Sequence, residues 1–225
     1  MILSFEHCYE AFCPDCRRRW NIAKTESCSV CFQSVAECTC QPKALSSAGS
    51  LTLRKLFFYL AKREYEPQNR ILYHIKKKPN RRLFLFLASE LAPMAKQELS
   101  VLGMEELYEN AVIVSMPRGR RSRAVYGFDQ SECLARSLGQ IMHIPYESVL
   151  RRRFGGQVQK HLSAKERQKN MRRVILVRKE DAVKGKYVIL LDDVVTTGAS
   201  MAACISALKN AGARGVISIA LARTP

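Results

Sequence analysis

Positions 188–200 read VILLDDVVTTGAS: four aliphatics, two adjacent acids, and then Thr196-Thr197-Gly198. An aliphatic run without polar alternation predicts a strand buried on both faces of a parallel sheet. Ligands of such sheets bind beyond the carboxyl ends of the strands, which puts Asp192 and Asp193 at the mouth of a site. Adjacent carboxylates repel each other and need partners. The hydroxyls of a sugar diol would serve, and so would Mg2+, directly or through water. The next stretch, ASMAACISALKNAGA (199–213), has helical spacing and a terminating Gly212. The start of that helix offers unpaired amides and the positive end of a dipole to an anion. Val194, Thr196, Thr197, Gly198, Ala199 and Ser200 would line the turn. Acids for a ribose diol, then hydroxyls and amides for its phosphate, match a ribose 5-phosphate lying along one loop.

A second anion site is expected where NAVIVSMP (110–117), a β-branched run ended by proline, reads as a buried strand. The loop after it begins with Met116, Pro117 and Arg118 and holds Arg120, Arg121 and Arg123. Arginine forks suit phosphate oxygens. A basic surface loop for nucleic acid is the other reading of these arginines, and the two are compatible. The stretch GGQVQKHLSAKERQKNMR (155–172) is polar, basic and Gly-led. It reads either as a loop that closes over a charged substrate or as a linker.

Seven of the nine cysteines lie in the first 40 residues. Cys13-x-x-Cys16 and Cys28-x-x-Cys31 form a double knuckle, the spacing of a tetrahedral structural zinc site. Cys38-x-Cys40 is not a standard knuckle, yet either residue could replace a ligand, or a second zinc could form. A region this short rarely has enough core to fold alone, so zinc would supply the missing stability. Its removal is then expected to unfold the module and leave the remainder folded. Cys133 and Cys204 fall in helical patterns and read as core.

These sites need elements to hold them. DQSECLARSLGQIM (129–142) reads as a helix with Asp129 as its N-cap. RRLFLFLASELAPMAKQEL (81–99) also reads as a helix, with Pro93 expected to kink or stop it. RVILVRK (173–179), YVILLDD (187–193) and GVISIALAR (215–223) read as strands. Strands alternating with helices predict an α/β fold with a mainly parallel sheet. QPKALSSAGS (41–50) reads as a linker. The expected domains are therefore 1–45, cysteine-rich, and 46–225. LTLRKLFFYLAKREY and QNRILYHIKKK, between the linker and the first helix, fit neither period cleanly.

The chain has 225 residues, 47% of them hydrophobic, and a formal charge of +17. Such an excess points to a polyanionic partner. Lys76, Lys77, Lys78 and Arg81, near Tyr65, Tyr73 and Phe84, could form a charge-and-stacking platform for single strands. A merely solvated face is the alternative. No run reaches membrane-spanning length, and the first residues lack a secretion signal. A cytoplasmic protein without membrane insertion is expected. Neither a G-x-x-x-x-G-K-[ST] loop nor a G-x-G-x-x-G turn after a strand occurs.

Asp192-Asp193-Val194-Val195-Thr196-Thr197-Gly198 resembles the phosphoribosyl pyrophosphate loop of type I phosphoribosyltransferases. Together with the cysteines, with Gly127-Phe128-Asp129-Gln130, and with Gln159, Leu162, Ser163, Arg167 and Asn170, the chain resembles the ComF family. That family is tied to DNA uptake in natural competence. The resemblance implies a type I phosphoribosyltransferase-like fold with a five-stranded, mainly parallel core, flanking helices and a small N-terminal zinc-binding module. It implies phosphoribosyl pyrophosphate and Mg2+ as ligands, with Asp192 and Asp193 as the catalytic pair. It also implies a role with incoming single-stranded DNA beside a helicase-like partner. Two positions depart from the family: Tyr126 stands for arginine and Asp129 for asparagine. They lean toward a non-catalytic DNA-binding module that uses the site as a sensor. A nucleobase phosphoribosyltransferase of the salvage type is the other alternative.

Overall fold

The computed structural model describes residues 12–102, 110–118, 125, 127–152 and 175–225. Four strands, β1 (Ser50–Phe58), β2 (Ala111–Ser115), β5 (Tyr187–Val195) and β6 (Gly215–Arg223), form a parallel sheet in the order β1-β6-β5-β2. Beyond β2 the chain at Tyr146 makes one parallel bridge to Ile113. Its neighbours complete that rung, with Ile113 N donating to Pro145 O at 2.9 Å and Glu147 N to Ile113 O at 2.9 Å. The fifth strand implied by the resemblance is thus reduced to a single rung among the described residues.

Val188, Ile189, Leu190 and Leu191 are all fully buried, as the unbroken aliphatic run predicts. Ile189 and Leu191 join the core layer built by α3 (Pro67–Lys77), α4 (Arg81–Val101) and α5 (Gln130–Met142). Val188 and Leu190 join the opposite layer, under α2 (Lys43–Ala48) and α6 (Ala199–Asn210). The α/β class, with a mainly parallel sheet and flanking helices, is borne out.

Three expectations are corrected. RVILVRK is not a strand of the main sheet: β4 (Ile175–Val177) pairs antiparallel with β3 (Leu150–Arg152). Residues 41–50 are no linker, because Leu45 and Ala48 bury one face of α2 against the core. Pro93 does not stop α4, which runs through it with the proline exposed. A proline on the solvent face removes one ladder bond, while the buried faces of Leu91, Ala92, Met94 and Ala95 keep the helix in place.

The cysteine-rich segment is packed against this core. From α1 (Pro14–Lys24), Trp20 is 2% exposed and stacks edgewise on Phe57 of β1, with ring centroids 5.4 Å apart. Its Nε1 donates to Glu90 Oε2 at 3.1 Å, and Lys24 Nζ reaches the same oxygen at 2.6 Å. Among the described residues no helix is long and apolar enough to cross a membrane.

Candidate sugar-phosphate site and thiol cluster

The acid pair stands at the carboxyl end of β5, beside the first turn of α5. Asp129 caps that helix, its Oδ1 accepting from Ser131 N at 3.1 Å and Glu132 N at 3.3 Å. Its Oδ2 accepts from Arg118 N at 3.3 Å. The extra negative charge at this position is therefore turned toward amides and the positive helix end. The cap aims the next two side chains at the acids. Gln130 Nε2 donates to Asp193 Oδ2 at 2.9 Å, and Ser131 Oγ to Asp192 Oδ1 at 3.2 Å. The acids also grip their own backbone: Asp193 N donates to Asp192 Oδ1 at 2.9 Å and Val194 N to Asp193 Oδ1 at 2.8 Å. Burial, followed by repulsion from Asp193, pushes the Asp192 carboxyl well above its ordinary pKa.

After the acids the chain turns through Thr196 and Thr197, both exposed, into α6. Gly198 turns the corner at φ 75°, and a Cβ there would meet Leu45 Cδ1 at 2.2 Å. Leu45 and Pro42 thus back the loop from behind. No side chain caps α6, and Ala199 N is 3.5 Å from Thr197 Oγ1. A cavity of about 320 Å3 opens here, lined by Asp192–Met201, Met116–Arg118, Gln130, Ser131 and Arg152. All the residues expected to bind the sugar phosphate, and the three expected on the pyrophosphate side, surround this one space. Arg120, Arg121, Arg123, Tyr126 and the 155–172 stretch lie outside the described residues.

Sequence reading missed Gln130 and Ser131 as partners of the acids, although the Asp129 cap placed them on the first helical turn. It also missed Lys76 here. That residue was expected to face nucleic acid, but its Nζ lies 3.6 Å from Asp193 Oδ2, so it supplies positive charge to the acid pair. The other basic candidates face outward. Lys77 lies over the Tyr73 ring at 4.1 Å, and Lys78 and Arg81 are exposed.

The cysteines divide. Sulfurs of Cys28, Cys31, Cys38 and Cys40 all lie within 4.8 Å of one another. Cys13 and Cys16 are outside this cluster, at the start of α1, where the Cys16 amide and thiol pull the Cys13 pKa down. The knuckle is closed by a Ser27–Ser34 bridge, by Cys28 N donating to Gln33 O at 2.9 Å, and by Phe32 N to Cys28 O at 2.9 Å. Val30 N points at Cys28 Sγ from 3.5 Å. Burial raises the Cys28 pKa, but the Cys31 and Val30 amides and the neighbouring thiols overcome it, giving about 6. Burial and the bonds to Cys31 and Cys38 push Cys40 up to about 12. Four converging sulfurs, one of which, Cys28, both receives an amide N–H and has its pKa drawn down, suit tetrahedral zinc. Cys204 is buried in α6 and Cys133 packs along α5.

Residues 129–225 match the phosphoribosyl transferase domain family. Over 113 residues the chain is 34% identical to the DNA utilization protein YhgH of Escherichia coli (strain K12), covering 50% of this chain and 49% of that protein. The chain thus spans about half the length of the curated relatives it matches. A solved asparagine mutant, from an analysis of an invariant aspartic acid in HPRTs, aligns at TM-score 0.37 and 14% identity, over 69% of this chain and 67% of that one. A structure of the allosteric regulatory enzyme of purine biosynthesis aligns at TM-score 0.35 and 25% identity, over 48% of this chain and 21% of that one. The domain match and the relative bear out the family resemblance read from the motifs.

Proposed function

We propose, from the premise that residues 129–225 form a phosphoribosyl transferase domain, that the chain binds phosphoribosyl pyrophosphate with Mg2+ and acts on incoming single-stranded DNA in natural transformation. The observation that carries the reading is the convergence of the acid pair, the Thr196–Gly198 turn and Met116–Arg118 on one cavity. Asp192 and Asp193 would hold the ribose diol, Thr196–Ser200 the 5'-phosphate, and Met116–Arg118 the pyrophosphate. Mg2+ would be held by the two acids, directly or through water, and supplies neutralising charge for the pyrophosphate when bound. If transfer occurs, the acids would stabilise positive charge developing at the anomeric carbon as pyrophosphate departs.

The DNA part is supported by the likeness to a protein named for DNA utilization, by the +17 charge, and by the outward cations of α3 and α4. Zinc at Cys28, Cys31, Cys38 and Cys40 would be structural. A helicase-like partner, a cytoplasmic setting, and the division into 1–45 and 46–225 belong to the same reading. Titration calorimetry with phosphoribosyl pyrophosphate and Mg2+ tests it. Saturable heat is expected from the parent and none from Asp192→Ala with Asp193→Ala; absence of heat from the parent would sink the reading.

A second reading, binding without turnover, is favoured by one observation: Lys76 and Gln130 already engage Asp193 Oδ2. Pyrophosphate release on adding nucleobases or single strands separates the two. Acceptor-dependent release supports the transferase, and binding without release supports the sensor.

A further inference from the structure

Lys55, in the middle of β1, is fully buried. An ammonium out of water is costly unless it is paired and hydrogen-bonded. Its Nζ donates to Cys38 O at 2.7 Å, to Cys38 Sγ at 3.0 Å and to Cys40 O at 3.1 Å. Among the described residues these acceptors, and no carboxylate, are its partners. All three belong to the segment that brings the last two sulfurs into the cluster.

Neighbouring cations hold the same segment. Arg54, 4% exposed, donates to Glu37 O at 3.2 Å. From the adjacent strand, Arg223 donates to Cys40 O at 3.1 Å. Four thiolates around a divalent ion leave an excess of negative charge. A buried ammonium against one of those sulfurs balances part of it, and the cluster in turn balances the ammonium.

We propose that Lys55 is the positioning residue of the thiol centre: its ammonium neutralises the metal-loaded cluster, hydrogen-bonds the Cys38 sulfur and fixes the 38–40 turn. This rests on the reading that the four cysteines hold zinc. It also replaces the expectation that metal loss ends at the N-terminal module. Without metal, the buried charge loses its counterweight inside β1. That strand pairs with β6, which pairs with the strand carrying Asp192.

The test uses the whole zinc-loaded chain. Zinc is counted by atomic absorption, then withdrawn by a competing chelator from the parent, Lys55→Met and Lys55→Gln. The parent is expected to carry zinc, and Lys55→Met to hold it about 10- to 100-fold more weakly. Lys55→Gln should fall between, because its amide donates hydrogen bonds without charge. Zinc affinity of a folded Lys55→Met chain within about twofold of the parent, well short of the usual outer-shell effect, would overturn the proposal. If Lys55→Met does not fold, hydrogen exchange on the parent decides. Stripping zinc should strip protection from Leu53–Phe57 while Ala111–Ser115 keep theirs, and unchanged protection in β1 overturns the role. A parent that carries no zinc removes the zinc reading itself, a different failure from zinc bound normally without Lys55.

Discussion

Asp192 is half-buried at the cavity floor, and burial with the charge of Asp193 holds its carboxyl above the ordinary range. The folded chain therefore keeps that proton more tightly than the unfolded one. Between the two pKa values the native state binds more protons, so stability is lost as pH rises through the folded value. Asp192→Asn should remove this loss. We expect it to melt higher than the parent at neutral pH, by about 1 kcal/mol. The gap should close as pH falls toward the unfolded carboxylate value, while the variant loses sugar-phosphate binding. Melting curves of both proteins across pH check the sign, and a parent that gains on the variant as pH rises would contradict it. Asp192, Asp193 and Asp129 were legible because strand pattern and capping chemistry are local. Lys76 was not, since its meeting with Asp193 is made by the fold and left no mark on a run of three lysines.

The elements behind the site were legible in proportion to how uniform their burial is. β2, β5, β6, α5 and α6 each carry a one-period pattern. β1 does not: Arg54 and Lys55 sit inside it, buried, because the cysteine-rich segment supplies the acceptors of Lys55 and one of Arg54's, while Gln97 and Glu98 of α4 supply the others of Arg54. α2 was hidden by its serines, although Leu45 is fully buried. That small helix matters for the turn at Gly198. Alanine there would need a left-handed backbone and would strike Leu45. Gly198→Ala should cost about 1–3 kcal/mol from the backbone alone and weaken sugar-phosphate binding. Paired denaturation and calorimetry would show it; an unchanged midpoint would mean that the loop is free to move.

Across the molecule the +17 charge is spread over faces that no single motif marks, so composition foretold a polyanion without locating it. Tyr73 and Lys77 on α3, Lys78 just past its end and Arg81 at the start of α4 are all exposed, with Lys77 over the Tyr73 ring. If single strands bind there, replacing Lys77, Lys78 and Arg81 by Gln should flatten the log–log salt dependence by about 2 units, at roughly 0.7 per lost phosphate contact. Titration of a labelled oligonucleotide across salt measures this. An unaltered slope would move the binding face elsewhere.

The Ser50 and Ser218 hydroxyls, 168 positions apart, hydrogen-bond at 2.8 Å where β1 meets β6. Since β6 lies between β1 and β5, β1 has no partner in the sheet and β5 has β2 alone until that late segment slots in. Contacts of such long range make assembly slow. A ribosome-bound or clipped chain ending before Gly215 would present two unsatisfied sheet borders, open to pairing with other copies. The thiol knuckle, built from residues close in sequence, can form well before then and would hold one border of the growing sheet in waiting.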